Sequence, residues 1–455
     1  MGALVSRKTL LGAVAIGAIA LGIWACDSRS QNNSAASPQL PAKFSTLAAD
    51  KKAFLNDPQI LARFGLTPEK LQLAIADFDF PALDRYVSTL MATVESEKFH
   101  PGDDHDAETA LNPAAIRYNA GTTLRPAILD EYQRDAGPFS LDRYLYQKAG
   151  IPTFAHAPVA IRKEDLVAGK VEVAFVGVPL DMSSGYRDAK HAPTFMRMAG
   201  GLTGIDPFTQ VDPGLVLRMA DYGSFSIDFM SVERTMDHVR LMVKDTASVG
   251  TVPFVVGGDH AVMYADVAGV VDQYGKGNVS VVLVDAHAET TAIGDHFISD
   301  GQSTRRLIQD GIISAKDVTM VAIRDPELTA DDAQKLKRDG VRLHSMADIK
   351  QQGWAKALDN IAKDAKKGPS NVFISFDISA LDPVYAAGTG RPVPDGMSLG
   401  DASELMRKLC SENKIVGFDM LDVAPVMDVS YRTAQNANKV MHSCLAGMAV
   451  RKLKH

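Results

Sequence analysis

The sequence predicts a three-layer α/β/α protein with a mostly parallel central sheet, plus a helical N-terminal extension. Three observations predict it. From residue 171 onward, apolar β-branched runs alternate with stretches of helical periodicity. The runs are continuously apolar, as strands covered on both faces require, and do not alternate with polar residues. Several of them also end in a polar residue of specific type, at the edge where open parallel sheets bind ligands.

The strand-like runs are 171–178, Val252–Val256, Val279–Val284, Val318–Ile323, 372–376 and 415–418. Between them, 231–246 (SVERTMDHVRLMVKDT) and 355–367 (AKALDNIAKDAKK) carry helical spacing, and 433–452 reads as an amphipathic helix packed on the sheet. From Lys43 to about Arg134 the pattern is again helical, with Leu61, Phe64, Leu71, Leu73, Ile75 and Phe78, then Tyr86, Leu90 and Val94, recurring among charged residues. Within it, His100-Pro101-Gly102-Asp103-Asp104-His105-Asp106 gathers potential metal ligands. It is broken by Gly and Pro and flanked by no strand, so it reads as a solvated loop.

At 455 residues and 46% hydrophobic content the chain can bury a large core. Its formal net charge of −7, with no long basic run, argues against nucleic-acid binding. Three cysteines cannot build a disulfide framework, and Cys410 and Cys444, in helix-like segments, read as buried thiols.

At the N-terminus, Arg7, Lys8 and Thr9 precede an apolar run over 10–25, followed by Cys26-Asp27-Ser28. A basic start, an apolar middle and a small residue before a break read as an export signal. Ile23-Trp24-Ala25-Cys26 resembles a bacterial lipoprotein cleavage box, which implies lipidation of Cys26, and Asp27 implies retention at the inner membrane. The alternative is an uncleaved anchor. Either way, the body is expected outside the cytoplasm, attached to a membrane on the periplasmic side. The organisation is then a signal segment over 1–26, a polar tether over 27–42, a helical extension over 43–149 and an α/β domain over 150–455.

Asp285, His287 and Glu289 stand at the exit of the run Val279–Val284, with the i, i+2, i+4 spacing that shares one strand face. Carboxylates with an imidazole suit a hard or borderline divalent ion such as Mn²⁺, whereas the bland reading is a solvated acidic strand end. The neighbouring runs decide between them. Gly257-Gly258-Asp259-His260 follows one, Asp377 another, and Asp419 and Asp422 a third. Like charges gathered at one sheet edge are costly unless a cation neutralises them, so the metal reading leads.

Gly257-Gly258-Asp259-His260, Asp285-Ala286-His287, and Ser375-Phe376-Asp377-Ile378-Ser379-Ala380-Leu381-Asp382-Pro383 with Gly388-Thr389-Gly390 resemble the arginase/agmatinase (ureohydrolase) family. Gly150-Ile151-Pro152-Thr153-Phe154, Gly177-Val178-Pro179-Leu180-Asp181, and Gly417-Phe418-Asp419 with Val423-Ala424-Pro425 extend the resemblance from Gly150 to the C-terminus. It implies an arginase-like fold and two Mn²⁺ ions activating water against a guanidinium carbon, with release of urea. Carried over by position, His260, Asp285, Glu289 and Asp377 would hold the first ion. His287 would hold the second, with Asp285 and Asp377 as bridges and Ser379 at the place of its remaining carboxylate.

Four positions depart from the family pattern. Glu289 and Ser379 replace Asp, Asp300 stands where the family has a proton-transferring histidine, and Asp422 replaces a substrate-side Glu. His296 is the nearby candidate to take over proton transfer. The expectation is a metal-dependent hydrolase of a guanidino or amidino C–N bond, agmatinase-like, acting on a small guanidino compound with one or two Mn²⁺ ions, Ni²⁺ being the alternative. The competing expectation is a catalytically degenerate, membrane-tethered homologue that serves as a binding or assembly protein. Family members are commonly trimers or hexamers, which implies a homo-oligomer. Asp382-Pro383 and Gly388-Thr389-Gly390 read as turn geometry, and Ser375 as satisfied by backbone. Arg187 and His191 read equally as pocket border or surface.

Overall fold

The computed structural model describes residues 45–64, 66–76, 78–96, 136–140, 151–181, 188–228, 230–291 and 298–454. The N-terminal signal and tether, the loop 100–106, Arg187 and His296 lie outside the described residues. The chain divides into two compact units, 1–87 and 88–455. In the first, helices Ala49–Leu55, Pro58–Arg63 and Pro68–Ala74 follow one another closely, and Phe80–Ser96 begins within it. Thr67 starts the third helix, its side chain accepting from the Lys70 amide, with Pro68 at the first helical position. Leu61, Leu71 and Ile75 are buried, as their helical spacing predicts, whereas Leu73 is exposed.

The second unit is built on eight strands. They are β1 Val173–Gly177, β2 Met219–Ser224, β3 Val252–Val256, β4 Val279–Val284, β5 Val318–Ile323, β6 Arg342–Ser345, β7 Asn371–Asp377 and β8 Lys414–Leu421. They form one sheet in the order β2-β1-β3-β8-β7-β4-β5-β6, and every pairing is parallel. The chain crosses from β3 to β4 leaving a two-strand gap, which β7 and β8 fill later.

Helices cover both faces, giving the expected three layers. On one face, Phe175, Phe254 and Phe418 form a row across β1, β3 and β8, with ring centroids 5.9 and 4.7 Å apart. Met346, Leu358, Leu405, Met441 and Leu445 of four helices pack in the same core. The other face carries Val176, Val255 and Leu283 under Val239, Val243, Val267 and Val270. Each such aliphatic side chain stabilises the fold by about 1.5–3 kcal/mol when fully buried. The helices start where the sequence supplies a hydroxyl cap: Ser231, Thr329, Ser345 and Ser398 each accept from the amide three residues on.

Two strands, β2 and β6, carry no continuous apolar run, and the strand-like runs of the sequence omit both. They are the two edges of the sheet, where burial on both faces is not required. In β2, Asp221 takes the place of an apolar residue because Arg197 clamps it from the helix Ala192–Met198. Arg197 Nε and Nη2 donate at 2.8 and 2.9 Å, and the Phe154 amide adds a third bond.

Three other expectations are corrected. Cys410 and Cys444 are not thiols but a disulfide, with Cα atoms 5.2 Å apart. The helices Leu399–Glu412 and Arg432–Lys454 pack directly on each other and bring them together, which spacing alone could not reveal. The C-terminal helix is less amphipathic than its sequence suggests: residues 440–447 are all buried between the sheet and that neighbouring helix. Ser375 is not held by backbone but faces the His260 ring. Asp382 does make a turn, accepting from the Val384 and Gly396 amides. Among the described residues, no helix is long and apolar enough to cross a membrane.

The disulfide closes a separation of 34 residues. Loop-closure entropy predicts that a Cys410→Ala/Cys444→Ala variant loses about 3–4 kcal/mol. Denaturant unfolding under non-reducing conditions measures this, and an unchanged midpoint would show that the helix pair is held by its apolar contacts alone.

Candidate metal centre

The centre is assembled by four adjacent strands, β3, β8, β7 and β4, whose carboxyl ends point the same way. Register does the positioning. Val284 pairs with Phe376, so Asp285, just past β4, comes level with Asp377, the last residue of β7. Val256 pairs with Met420, which sets the turn 257–260 beside the end of β8. Gly257 and Gly258 both have φ of +84°. A Cβ on Gly258 would come within 2.8 Å of the Val178 carbonyl oxygen, and one on Gly257 would strike Pro193, so only glycine lets the chain turn tightly enough to deliver His260. Glu289 and Asp422 also adopt left-handed backbone, at φ 52° and 59°, a strain that recurs at functional sites.

One ligand atom each from His260, Asp285 and Glu289 lies within 4.8 Å of the others, and all three residues are buried. His260 Nδ1 faces the Ser303 hydroxyl at 3.1 Å, and Nε2 lies 3.6 Å from Asp285 Oδ2 and 3.3 Å from Ser375 Oγ. A partner on one ring nitrogen fixes the ring and leaves the other facing the cluster. His287 Nδ1 stands 3.3 Å from Asp285 Oδ1 and 3.9 Å from Glu289 Oε1. Ser379 is placed by β7: its amide donates to Asp377 Oδ1 at 2.6 Å, and its hydroxyl to Asp285 Oδ1 at 3.0 Å.

Asp377 and Asp422 interact through their carboxyl groups. Asp300 opens a short helical turn, Asp300–Gln302, and its Oδ2 lies 3.4 Å from Arg391 Nε. The expected ligands and Asp422 thus come together, and Asp300 borders them. His191 is half-exposed beside Asp188.

Arg391 was not among the candidates, although it directly follows Gly388-Thr389-Gly390. Its Nη2 donates to Glu289 Oε1 at 2.5 Å. The segment ahead of it is pinned, with the Ala424 amide donating to the Gly388 carbonyl and the Gly388 amide donating to Thr433 Oγ1. Arg324, just past β5, donates to the carbonyls of Ser379 at 2.7 Å and Val393 at 2.6 Å, tying both ends of the loop that carries Arg391. Its position at a strand's carboxyl end was the one sequence signal for it. Ser303 and Ser375, which flank the two His260 nitrogens, carried none.

The electrostatics suit a cation site. Burial, reinforced by the charge of Asp285, pushes the Asp377 carboxyl well above its ordinary range. Burial does the same to Glu289 against the opposing pull of Arg391, and to Asp422 with help from Asp377. Burial alone would raise Asp285 too, but hydrogen bonding from His287 and the adjacent imidazoles of His260 and His287 pull it below the carboxylate range. Burial lowers His260 to about 4, leaving it neutral as a metal ligand must be. Among the described residues, Asp285 Oδ2, Glu289 Oε2 and Asp377 Oδ2 are buried and meet no hydrogen-bond donor. Orphaned acceptors are costly, and a divalent cation satisfies several at once. The donor set, carboxylate oxygens with neutral imidazole, fits Mn²⁺.

These shifts set the pH dependence. Carboxyls raised in the folded state bind more protons there than in the unfolded chain, so the metal-free protein loses stability as pH rises above the ordinary carboxyl range. Asp419, raised by burial to about 8, extends that loss through neutrality. His260, lowered to about 4, has the opposite sign but acts only below its unfolded value near 6.5. Between pH 6.5 and 8 the carboxyls therefore dominate. A cation needs them deprotonated, so the rise in Tm on adding Mn²⁺ is larger at pH 8 than at pH 6.5. Thermal melts with and without Mn²⁺ at the two pH values check this, and an equal rise would place the cation elsewhere.

Comparison with known proteins agrees with this geometry. The model of the arginase family matches residues 171–447. The human mitochondrial guanidino acid hydrolase is 28% identical over 311 residues, covering 67% of this chain and 85% of the relative. The crystal structure of a hypothetical agmatinase from Burkholderia thailandensis superposes with a TM-score of 0.62 at 26% identity, covering 71% of this chain and 99% of that one. A formiminoglutamase from Trypanosoma cruzi, described with Mn2+2, shares the fold at a TM-score of 0.58 and 21% identity, over 66% of this chain and 99% of its own. This chain belongs to the arginase family, and the relatives it resembles include hydrolases named for guanidino compounds.

Proposed function

We propose that the protein is a divalent-metal hydrolase of the agmatinase type, which adds water across a guanidino C–N bond to give urea and an amine. The observation that carries this reading is the convergence of buried, unpartnered ligand atoms from Asp285, Glu289 and Asp377 with His260 at one sheet edge. A divalent cation held there would lower the pKa of a water molecule towards neutrality. The chain's own residues orient and select. Ser303 and Ser375 hold the His260 ring, Ser379 fixes the carboxylates of Asp285 and Asp377, and Arg324 locks the surrounding loop. Asp422, whose backbone amide donates to the Gly258 carbonyl, offers a carboxyl at the metal cluster to accept N–H groups of a guanidinium. Asp300 is the described carboxyl nearest the role of proton carrier.

The test is urea release from a panel of agmatine, arginine, guanidinobutyrate and guanidinopropionate by purified protein with Mn²⁺ and, separately, Ni²⁺. At least one is hydrolysed, and His260→Ala lowers the rate by more than about a hundredfold, since loss of even a supporting contact around a metal costs ten- to a hundredfold. Silence across the panel with metal shown bound favours the second reading, a homologue that keeps the fold but serves in binding or assembly. That reading is supported by one observation, the Arg391 guanidinium lodged against Glu289.

The same reading places the body outside the cytoplasm, tethered to a membrane through Cys26. The Cys410–Cys444 bridge supports it, because structural disulfides persist in oxidising compartments and are rare in the cytosol of mesophiles. The protein then fractionates with membranes, and a Cys26→Ala variant is released or fails to mature. A protein that stays in the cytosolic fraction with both cysteines reduced would exclude the tether.

A further inference from the structure

Two oxygens of one carboxylate differ in a way that counts the ions. Asp285 Oδ2 is buried, has no hydrogen-bond partner among the described residues, and faces His260 Nε2. Asp285 Oδ1 is saturated: it accepts from the His287 amide at 2.9 Å and from the Ser379 hydroxyl at 3.0 Å, and His287 Nδ1 lies 3.3 Å away. Asp377 shows the same asymmetry, with Oδ1 accepting from the Ser379 amide at 2.6 Å and Oδ2 unpartnered. Ser379 thus donates to both carboxylates that would have to bridge a pair of ions, on the oxygen of each that is not free. A carboxylate in its place would repel those oxygens and need a second cation; a hydroxyl supplies a proton instead.

A positive charge beside Glu289 comes from the chain itself. Arg391 Nη2 binds Glu289 Oε1 at 2.5 Å, its Nε lies 3.4 Å from Asp300 Oδ2, and its side chain is only 26% exposed. Glu289 therefore has one oxygen on a guanidinium and the other, Oε2, free. The carboxylate at Asp300 adds charge on the side where the guanidinium stands. A guanidinium is permanently protonated and forks onto carboxylates, so it stands in for a fixed monovalent ion that cannot dissociate.

We propose that this centre takes a single divalent ion, at His260, Asp285 and Glu289, because the Ser379 hydroxyl stands where a second ion's carboxylate would, while the Arg391 guanidinium supplies a fixed positive charge at the rim through Glu289. The inference rests on the metal-site reading above and departs from the two-ion arrangement that the family resemblance implies.

The experiment counts ions without reference to turnover. Purified full-length protein is stripped with chelator, titrated with Mn²⁺ alone, and read by metal analysis and electron paramagnetic resonance. The expected result is one ion per chain with the signal of an isolated Mn²⁺ at saturation. Ser379→Asp/Arg391→Met binds a second ion and shows the spectrum of an exchange-coupled pair, while Ser379→Asp/Arg391→Lys, which keeps the charge, stays at one. Two coupled ions in the wild type overturn the inference, as does identical stoichiometry in the two double variants. If Arg391→Met leaves Mn²⁺ affinity unchanged and raises KM only for guanidino compounds bearing a carboxylate, Arg391 is a substrate contact and the inference falls. Absence of any bound Mn²⁺ would overturn the metal centre itself, a separate failure. Should the Met variant not fold, the wild-type count and spectrum decide alone.

Discussion

Asp285 and Asp377 are held side by side by the register of two adjacent parallel strands, and the rest of the site answers that juxtaposition. Neither can withdraw, because the strands that carry them are buried on both faces and locked into the core. Two carboxylates in a low-dielectric edge repel strongly, and the fold can meet the cost with a proton, a cation or donated hydrogen bonds. Here Ser379 donates a hydrogen bond to one oxygen of each, and among the described residues the other oxygens meet no donor. Those oxygens are the ones a cation would take.

The same constraint explains the strain around it. Glu289 and Asp422 sit in left-handed backbone, and Gly257 and Gly258 make a turn no other residue could adopt without moving Val178 or Pro193. Such conformations cost on the order of 1–3 kcal/mol each for non-glycine residues and persist only where the surroundings over-determine them. The surroundings here are two apolar layers and the Arg324 clamp, which ties the carbonyls of Ser379 and Val393 across the loop between them. Stability made in the core is what allows strain and charge to be concentrated at the sheet's edge.

How far the sequence disclosed this differs by residue. Interior strands such as Val279–Val284 announce themselves because burial on both faces admits only apolar side chains. The edges β2 and β6 do not, since one flank needs no partner and Asp221 is bonded to Arg197 from a distant segment. His260, Asp285, His287, Glu289 and Asp377 were legible because each follows an apolar run directly, and strand ends converge in a parallel sheet. Arg391 was not, because it is delivered by a long loop whose path depends on Arg324, Thr433 and Ala424. The disulfide was hidden for the same reason: Cys410 and Cys444 meet only once two helices pack.

The substitutions at the site make sense together better than singly. Replacing one carboxylate by Ser379 removes a negative charge from the bridge, and a carboxylate at Asp300 restores one further out, beside Arg391. Lengthening Glu289 by a methylene lets its Oε1 reach the guanidinium while its carboxylate stays within reach of His260 and Asp285. Loss of function through random drift would leave buried charges unbalanced, and each would cost several kcal/mol. At this site three of the four departures are matched by a partner, Ser379 by two carboxylate oxygens, Asp300 and Glu289 by one arginine, while Asp422 faces the Asp377 carboxyl. That pattern is of a site rebuilt around a different charge distribution, with the sheet register that created the original problem left untouched.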